Sequence, residues 1–271
     1  MRIMKNNTLV RIVVSLVTIP LILLVVYLGG YFFLAFGLLI GLISFWEFAA
    51  MSEKKNSNPL KITGLFAVLA FITNSYFRFI GFFELTILTV VTTLLIELFR
   101  NRGSSIGNLG STYLGIFYIG VCSAALIGIR EFFSPYLNGA YLIISIFATI
   151  WICDSAAFFG GVSLGKHKLF PRVSPNKSWE GAVFGFLFSV ATMIAAKYIV
   201  LGFLSWPDVL VIGILVGTIG QLGDLVESLI KRDAGVKDSS NLIPGHGGIF
   251  DRFDSLLLSA PVVFIYLQLF L

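Results

Sequence analysis

Apolar runs of about 20 residues recur along this chain of 271 residues, and each is long enough to cross a ~30 Å hydrocarbon layer as an α-helix. Nine such stretches can be drawn, roughly at 9–28, 31–51, 62–80, 82–99, 111–129, 140–160, 179–200, 207–230 and 254–271. Inside a bilayer the backbone must satisfy its own hydrogen bonds, which leaves helices or closed barrels. Barrel strands alternate apolar and polar residues; these runs do not, so helices are expected. Charged residues make up 12% of the chain, about half the ~25% of soluble domains, which excludes a soluble globule. The first run could be mistaken for a signal peptide, but its length and the runs that follow point to a retained anchor. Cys122 and Cys153 both fall inside apolar segments and read as small buried hydrophobes.

Orientation follows from charge. Sixteen of the 19 Lys and Arg residues fall on one side, in the N-terminal segment and in the loops after the second, fourth, sixth and eighth spans. Only Arg78, Arg130 and Lys197 lie toward the other side. The positive-inside rule then places the N-terminus and these loops in the cytoplasm, and an odd number of spans sends the C-terminus outside. The expected location is the inner (cytoplasmic) membrane. The net charge of +5 is spread over short loops, so nucleic acid is not expected as a partner.

Two carboxylates lie inside apolar spans, Asp154 in the sixth and Asp224 in the eighth. Charge at such depth is costly and marks a candidate site. Each lies about six residues from the cytoplasmic end of its span, hence roughly 9–10 Å deep. Matched depth points to one shared, water-accessible cavity; two carboxylates bonded separately to neighbouring helices are the plainer alternative. On the eighth span Gly213, Gly217, Gly220, Asp224, Glu227, Ser228 and Lys231 form one helical stripe. Its small residues permit close helix approach, as do Gly181, Gly185 and Ser189 on the seventh span. Interfacial exposure accounts for Glu47 and Glu97, although either could rim the cavity. Lys197 reads as a snorkelling side chain.

Two cytoplasmic segments could hold phosphates. Gly160 to His167 approaches the spacing of a P-loop, but His167 replaces the needed Ser or Thr and a membrane helix precedes it, so that reading is set aside. In Ser174–Gly181, Ser178 is a plausible N-cap for the seventh span, with Asn176 and Lys177 just before it; a helix N-terminus beside a lysine is also a ready anion site. In Ser228–Asp254, the cations Lys231, Arg232, Lys237 and Arg252 alternate with Asp233, Asp238, Asp251 and Asp254. Within it, Pro244–Gly248 offers a turn with little side-chain cover, where backbone N–H groups can approach an anion. His246 could be a base, a phosphate donor or a turn residue. Zinc is not expected, because no Cys or His partner stands at ligand spacing. Oxygen ligands without soft donors favour Mg²⁺, and carboxylates beside Lys and Arg suit phosphoryl or nucleotidyl transfer.

Ser228 through Asp254 resembles the signature of the phosphatidate cytidylyltransferase (CDP-diacylglycerol synthase) family. The elements are Ser228, Lys231-Arg232, Lys237-Asp238, His246-Gly247-Gly248 and Asp251-Arg252 with Asp254. The S-P-N-K-S-W-E-G loop and W-I-C-D-S-A-A-F with Asp154 are similar to the family's catalytic half. The resemblance is strong from residue 140 onward; before that, only the multi-span layout and size are similar. It implies conversion of CTP and phosphatidic acid to CDP-diacylglycerol and pyrophosphate with Mg²⁺, and room for a second cation. On this resemblance the catalytic set is Asp224, Asp251, Lys231 and His246. Asp224 and Asp251 would hold the metal, with Asp154, Glu227 and Asp254 as further ligand candidates. Lys177, Asn176, Ser178, Lys231, Arg232, Lys237, Arg252, Gly247 and Gly248 would bind CTP and the lipid phosphate.

The expected fold is an all-α polytopic membrane protein with about nine transmembrane helices and a cytoplasm-facing polar cavity. Three regions are expected along the chain: an N-terminal anchor at 1–61, a middle membrane region at 62–139 and a catalytic membrane region at 140–271. The Gly-rich stripes are also compatible with a homodimer. A CTP-dependent lipid kinase would need a similar site. A transporter is the alternative of a different class, although transport sites usually sit near the midplane on broken helices.

Overall fold

The computed structural model describes the backbone of residues 2–243 and 247–271, and within those ranges the side chains from Val14 onward. Its helices are α1 (Arg2–Leu28), α2 (Gly30–Glu53), α3 (Lys61–Phe77), α4 (Phe82–Leu98), α5 (Ser105–Gly115), α6 (Cys122–Arg130), α7 (Leu137–Leu164), α8 (Trp179–Ile199), α9 (Trp206–Asp233) and α10 (Phe250–Phe270). A π-helical turn, Ile116–Val121, joins α5 to α6 without a break, so Ser105–Arg130 is one continuous apolar segment. Each of the nine expected spans thus coincides with a helix among the described residues. Six of these segments are long and apolar enough to cross a membrane: α2, Ser105–Arg130, α7, α8, α9 and α10. The chain is an all-α polytopic membrane protein. One departure is a short antiparallel hairpin, β1 (Lys168–Phe170) and β2 (Ser174–Ser178), in a stretch expected to be loop.

The chain divides into two compact units, Met1–Gly128 with Asp233–Phe253, and Ile129–Arg232 with Asp254–Leu271. The first unit takes in residues 1–128 and Asp233–Phe253, so the boundary falls at 128/129, inside the expected middle region at 62–139.

In the first unit, Phe33, Phe45, Phe48, Phe71 and Ile72 are buried, and Phe71 packs on Phe82 and Phe117 with ring centroids 5.3 and 6.2 Å away. Phe253 meets Phe36 and Phe250 meets Tyr118, both edge-on at 5.8 Å. Glu97 is not interfacially exposed as expected. It is 3% exposed, accepting from Asn108 Nδ2 at 2.7 Å and pairing with Arg100 at 3.3 Å. Asn108 Oδ1 in turn accepts from Asn58 N at 2.7 Å, which fixes the loop before α3. A buried carboxylate needs such donors.

In the second unit, the buried positions of α8 are Gly181, Gly185, Ser189 and Met193, the small-residue stripe with one further turn. Ser189 Oγ donates to Gly213 O at 2.8 Å. A Cβ at Gly217 would come 2.6 Å from Ser189 Oγ, so α8 and α9 meet where only hydrogen fits. Lys197 does not simply snorkel: its ammonium donates to Gly202 O at 3.1 Å and to Leu204 O, closing the α8–α9 loop. Tyr266 OH donates to Asp208 Oδ1 at 2.7 Å, tying α10 to the start of α9.

Gly217→Val should overpack this contact and destabilise the protein by about 1–3 kcal/mol, measured as a lowered thermal midpoint in detergent. An unchanged midpoint would contradict the close approach.

Candidate functional site

The polar end of the α9 stripe is buried at Glu227, Ser228 and Lys231. Helical spacing puts Asp224, Glu227 and Ser228 on one face, and Ser228 Oγ donates to Asp224 Oδ1 at 3.3 Å. The start of α10 adds Asp254, because Gly223 lets α10 lie close: a Cβ there would come 2.7 Å from Asp254 O. Asp224, Glu227 and Asp254 each present an oxygen within 4.8 Å of the other two. This cluster lies wholly inside the second unit.

Three carboxylates so close repel one another unless cations intervene. Lys177, the fourth residue of β2, places Nζ 2.6 Å from Asp224 Oδ2, and Lys231 places Nζ 2.6 Å from Glu227 Oε2. The two pairs differ in access. The Lys177 and Asp224 side chains are 31% and 34% exposed, whereas those of Lys231 and Glu227 are 11% and 1% exposed. The first pair can therefore exchange partners with a ligand more easily than the second.

The β-hairpin supplies Lys177. Ser178 caps α8 as expected, its Oγ accepting from Gly181 N at 3.2 Å. Glu180, in the first turn of α8, accepts from His167 N at 3.2 Å and meets His167 Nδ1 at 2.6 Å. With Trp179 N donating to His167 O at 2.9 Å, these bonds close the hairpin base. Arg232 Nε donates to Val173 O at 3.4 Å, which ties the end of α9 to the hairpin turn. The spacing of Glu180 and His167 carries no recognisable sequence signal, and their pairing was not expected.

The remaining candidates are placed as follows. Asp154 is exposed on α7, outside the three-carboxylate cluster. Asn176, Lys237 and Arg252 are exposed, and Gly248 is buried. Asp251 belongs to the first unit, where its carboxylate is used by the α9–α10 loop. Its Oδ2 accepts from Ser239 N and Ser239 Oγ at 2.9 Å each and from Gly248 N at 2.7 Å. Gly247 has φ +81°, a conformation that suits glycine. His246, with Pro244 and Gly245, lies outside the described residues.

The buried Glu227–Lys231 pair makes a sharp prediction. Lys231→Met leaves a buried carboxylate uncompensated and should cost about 3–5 kcal/mol. Adding Glu227→Gln should recover most of that loss in a thermal unfolding series, because neighbouring partners are not additive. Simple additivity of the two changes would contradict the pairing.

The sequence model of the cytidylyltransferase family matches residues 9–270. A phosphatidate cytidylyltransferase of Staphylococcus haemolyticus is 34% identical, covering 97% of this chain and 99% of that protein. One of Brucella suis is 32% identical over 98% of this chain and 95% of its own length. One of Bacillus subtilis is 35% identical over 85% of this chain and 87% of its own length. With the family match and these relatives spanning nearly the whole chain, its first half included, this membrane protein belongs to the cytidylyltransferase family.

Proposed function

We propose that this protein is a phosphatidate cytidylyltransferase, joining CTP and phosphatidic acid into CDP-diacylglycerol with release of pyrophosphate. The observation that carries this reading is the Asp224, Glu227 and Asp254 cluster, with Lys177 and Lys231 paired to it, in a chain whose relatives bear that name.

The donor set fits Mg²⁺: three carboxylates offer hard oxygen ligands at close quarters and no soft donor. Asp224, Glu227 and Asp254 would hold the metal, with Asp251 one turn earlier on α10 and Asp154 on α7 as further candidates. Bound there, Mg²⁺ would stabilise negative charge on the phosphates. The rest of the chemistry falls to substrates and cations. The lipid phosphate is largely dianionic near neutral pH, by analogy with phosphomonoesters whose second pKa is about 6, so it needs no strong base. One of its oxygens attacks the α-phosphorus of CTP in line. The new P–O bond joins lipid phosphate to CMP, and the bond to the bridging oxygen breaks, releasing pyrophosphate. Lys177, Lys231, Arg232 and Lys237 neutralise and orient the triphosphate and the lipid phosphate. Asn176, Ser178, Gly247, Gly248 and Arg252 are further candidates for binding the substrates, and His246 is a candidate to orient a phosphate oxygen. The loops that carry these residues face the cytoplasm, as the cation asymmetry requires; the acyl chains stay in the bilayer.

The test is product analysis with purified protein, Mg²⁺, phosphatidic acid and CTP. CDP-diacylglycerol and pyrophosphate should appear in equal amounts. Release of CDP with a newly phosphorylated lipid would instead identify a CTP-dependent kinase and contradict this reading.

A further inference from the structure

Glu47 sits near the cytoplasmic end of α2, where interfacial exposure is the simple expectation. It is instead 4% exposed. Its carboxylate is received by the interior of the α9–α10 loop and by the loop's junction with α10. Oε2 accepts from Ser239 Oγ at 3.1 Å and from Phe250 N at 2.8 Å. Oε1 accepts from Ile249 N at 3.1 Å and from Ser240 Oγ. All of these groups belong to the first unit. Ile249 and Phe250 stand at the start of α10, whose first amides have no helical acceptor and whose positive end favours an anion. Ser239 Oγ also lies 2.9 Å from Asp251 Oδ2, so one hydroxyl stands between two carboxylates. Gly248 completes the seat: a Cβ there would come within 2.5 Å of both Glu47 oxygens.

We infer that Glu47 is a positioning residue for catalysis: it clamps Ser239, Ser240, Ile249 and Phe250 and so fixes the loop that carries Lys237, the cation the functional reading assigns to the triphosphate. This rests on the functional reading above. Two features favour a specific clamp over general packing. The carboxylate joins the loop interior to the start of α10, and each of its oxygens is used by an amide as well as a hydroxyl. Glutamine has the same shape but one acceptor oxygen; its NH₂ would face an amide N–H of Ile249 or Phe250, donor against donor. A lost acceptor for a buried N–H is costly, so the loop should come loose while α2 stays folded.

The experiment compares wild-type protein with Glu47→Gln and Ser240→Ala in nanodiscs. It uses steady-state kinetics in CTP and in phosphatidic acid, together with amide exchange. Glu47→Gln should raise KM for CTP at least about tenfold, with kcat at saturating CTP and KM for phosphatidic acid within about threefold of wild type. Exchange should quicken at Ser239, Ile249 and Phe250 and stay unchanged in α2 and α8. Ser240→Ala, which removes one of four donors, should raise KM for CTP less than about threefold. Should Glu47→Gln not fold, the double variant Ser239→Ala with Ser240→Ala carries the same expected split, because it strips both hydroxyl donors from the intact carboxylate. A wild-type KM for CTP in Glu47→Gln, or faster exchange spread evenly over all helices, would overturn the inference. Wild-type turnover measured alongside separates that outcome from failure of the functional reading, in which the wild type itself would form no CDP-diacylglycerol.

Discussion

A carboxylate taken out of water must find a cation or several hydrogen-bond donors, and the polar ends of these helices are arranged around that requirement. Asp224, Glu227 and Asp254 crowd together in one unit. Lys231 answers Glu227 from the next turn of the same helix, and Lys177 answers Asp224 from a hairpin. The hairpin exists to deliver that lysine at a fixed place: Ser178, Glu180 and His167 lock its base, and Arg232 holds its turn. The small residues of α8 and α9 serve the same end. Close contact at Ser189 and Gly217 leaves little freedom for α9 to shift, so the carboxylates it carries stay in register.

The charged segment from Ser228 to Asp254 is divided in two by these demands. Its ends, through Arg232 and from Asp254, belong with the carboxylate cluster; its middle belongs with α2 and the rest of the first unit. Asp251 and Asp254 illustrate the division. They are three residues apart on α10, yet the first is taken up by Ser239 and Gly248 and the second faces Asp224 and Glu227.

The helices were legible because burial in lipid demands long apolar runs, and charge is absent over 30–46 and again over 209–223. The stripe through Asp224, Glu227, Ser228 and Lys231 was legible for the same reason: helical spacing fixes which residues share a face. The hairpin was not. Ser174–Ser178 reads S-P-N-K-S, with no alternation of apolar residues to mark a strand. The π-helical turn at Ile116–Val121 sits inside an apolar run that hides any change of period. Glu47 and Glu97 were misjudged because their position near span ends suits exposure equally well. Their donors come from other helices and loops, and Ser239 is far from Glu47 in the chain. The resemblance at Ser228–Asp254 points to the family, but not to which carboxylates stand together.

Asp224, Glu227 and Asp254 are proposed to form the cation site. Titration of the purified protein with Mn²⁺ in the absence of nucleotide, followed by electron paramagnetic resonance, measures this. Binding to the wild type should be saturable, and binding to a folded Asp224→Asn variant at least about tenfold weaker, since the Asp224 carboxylate would supply one of the hard oxygen ligands. Equal affinity in the two proteins would contradict it.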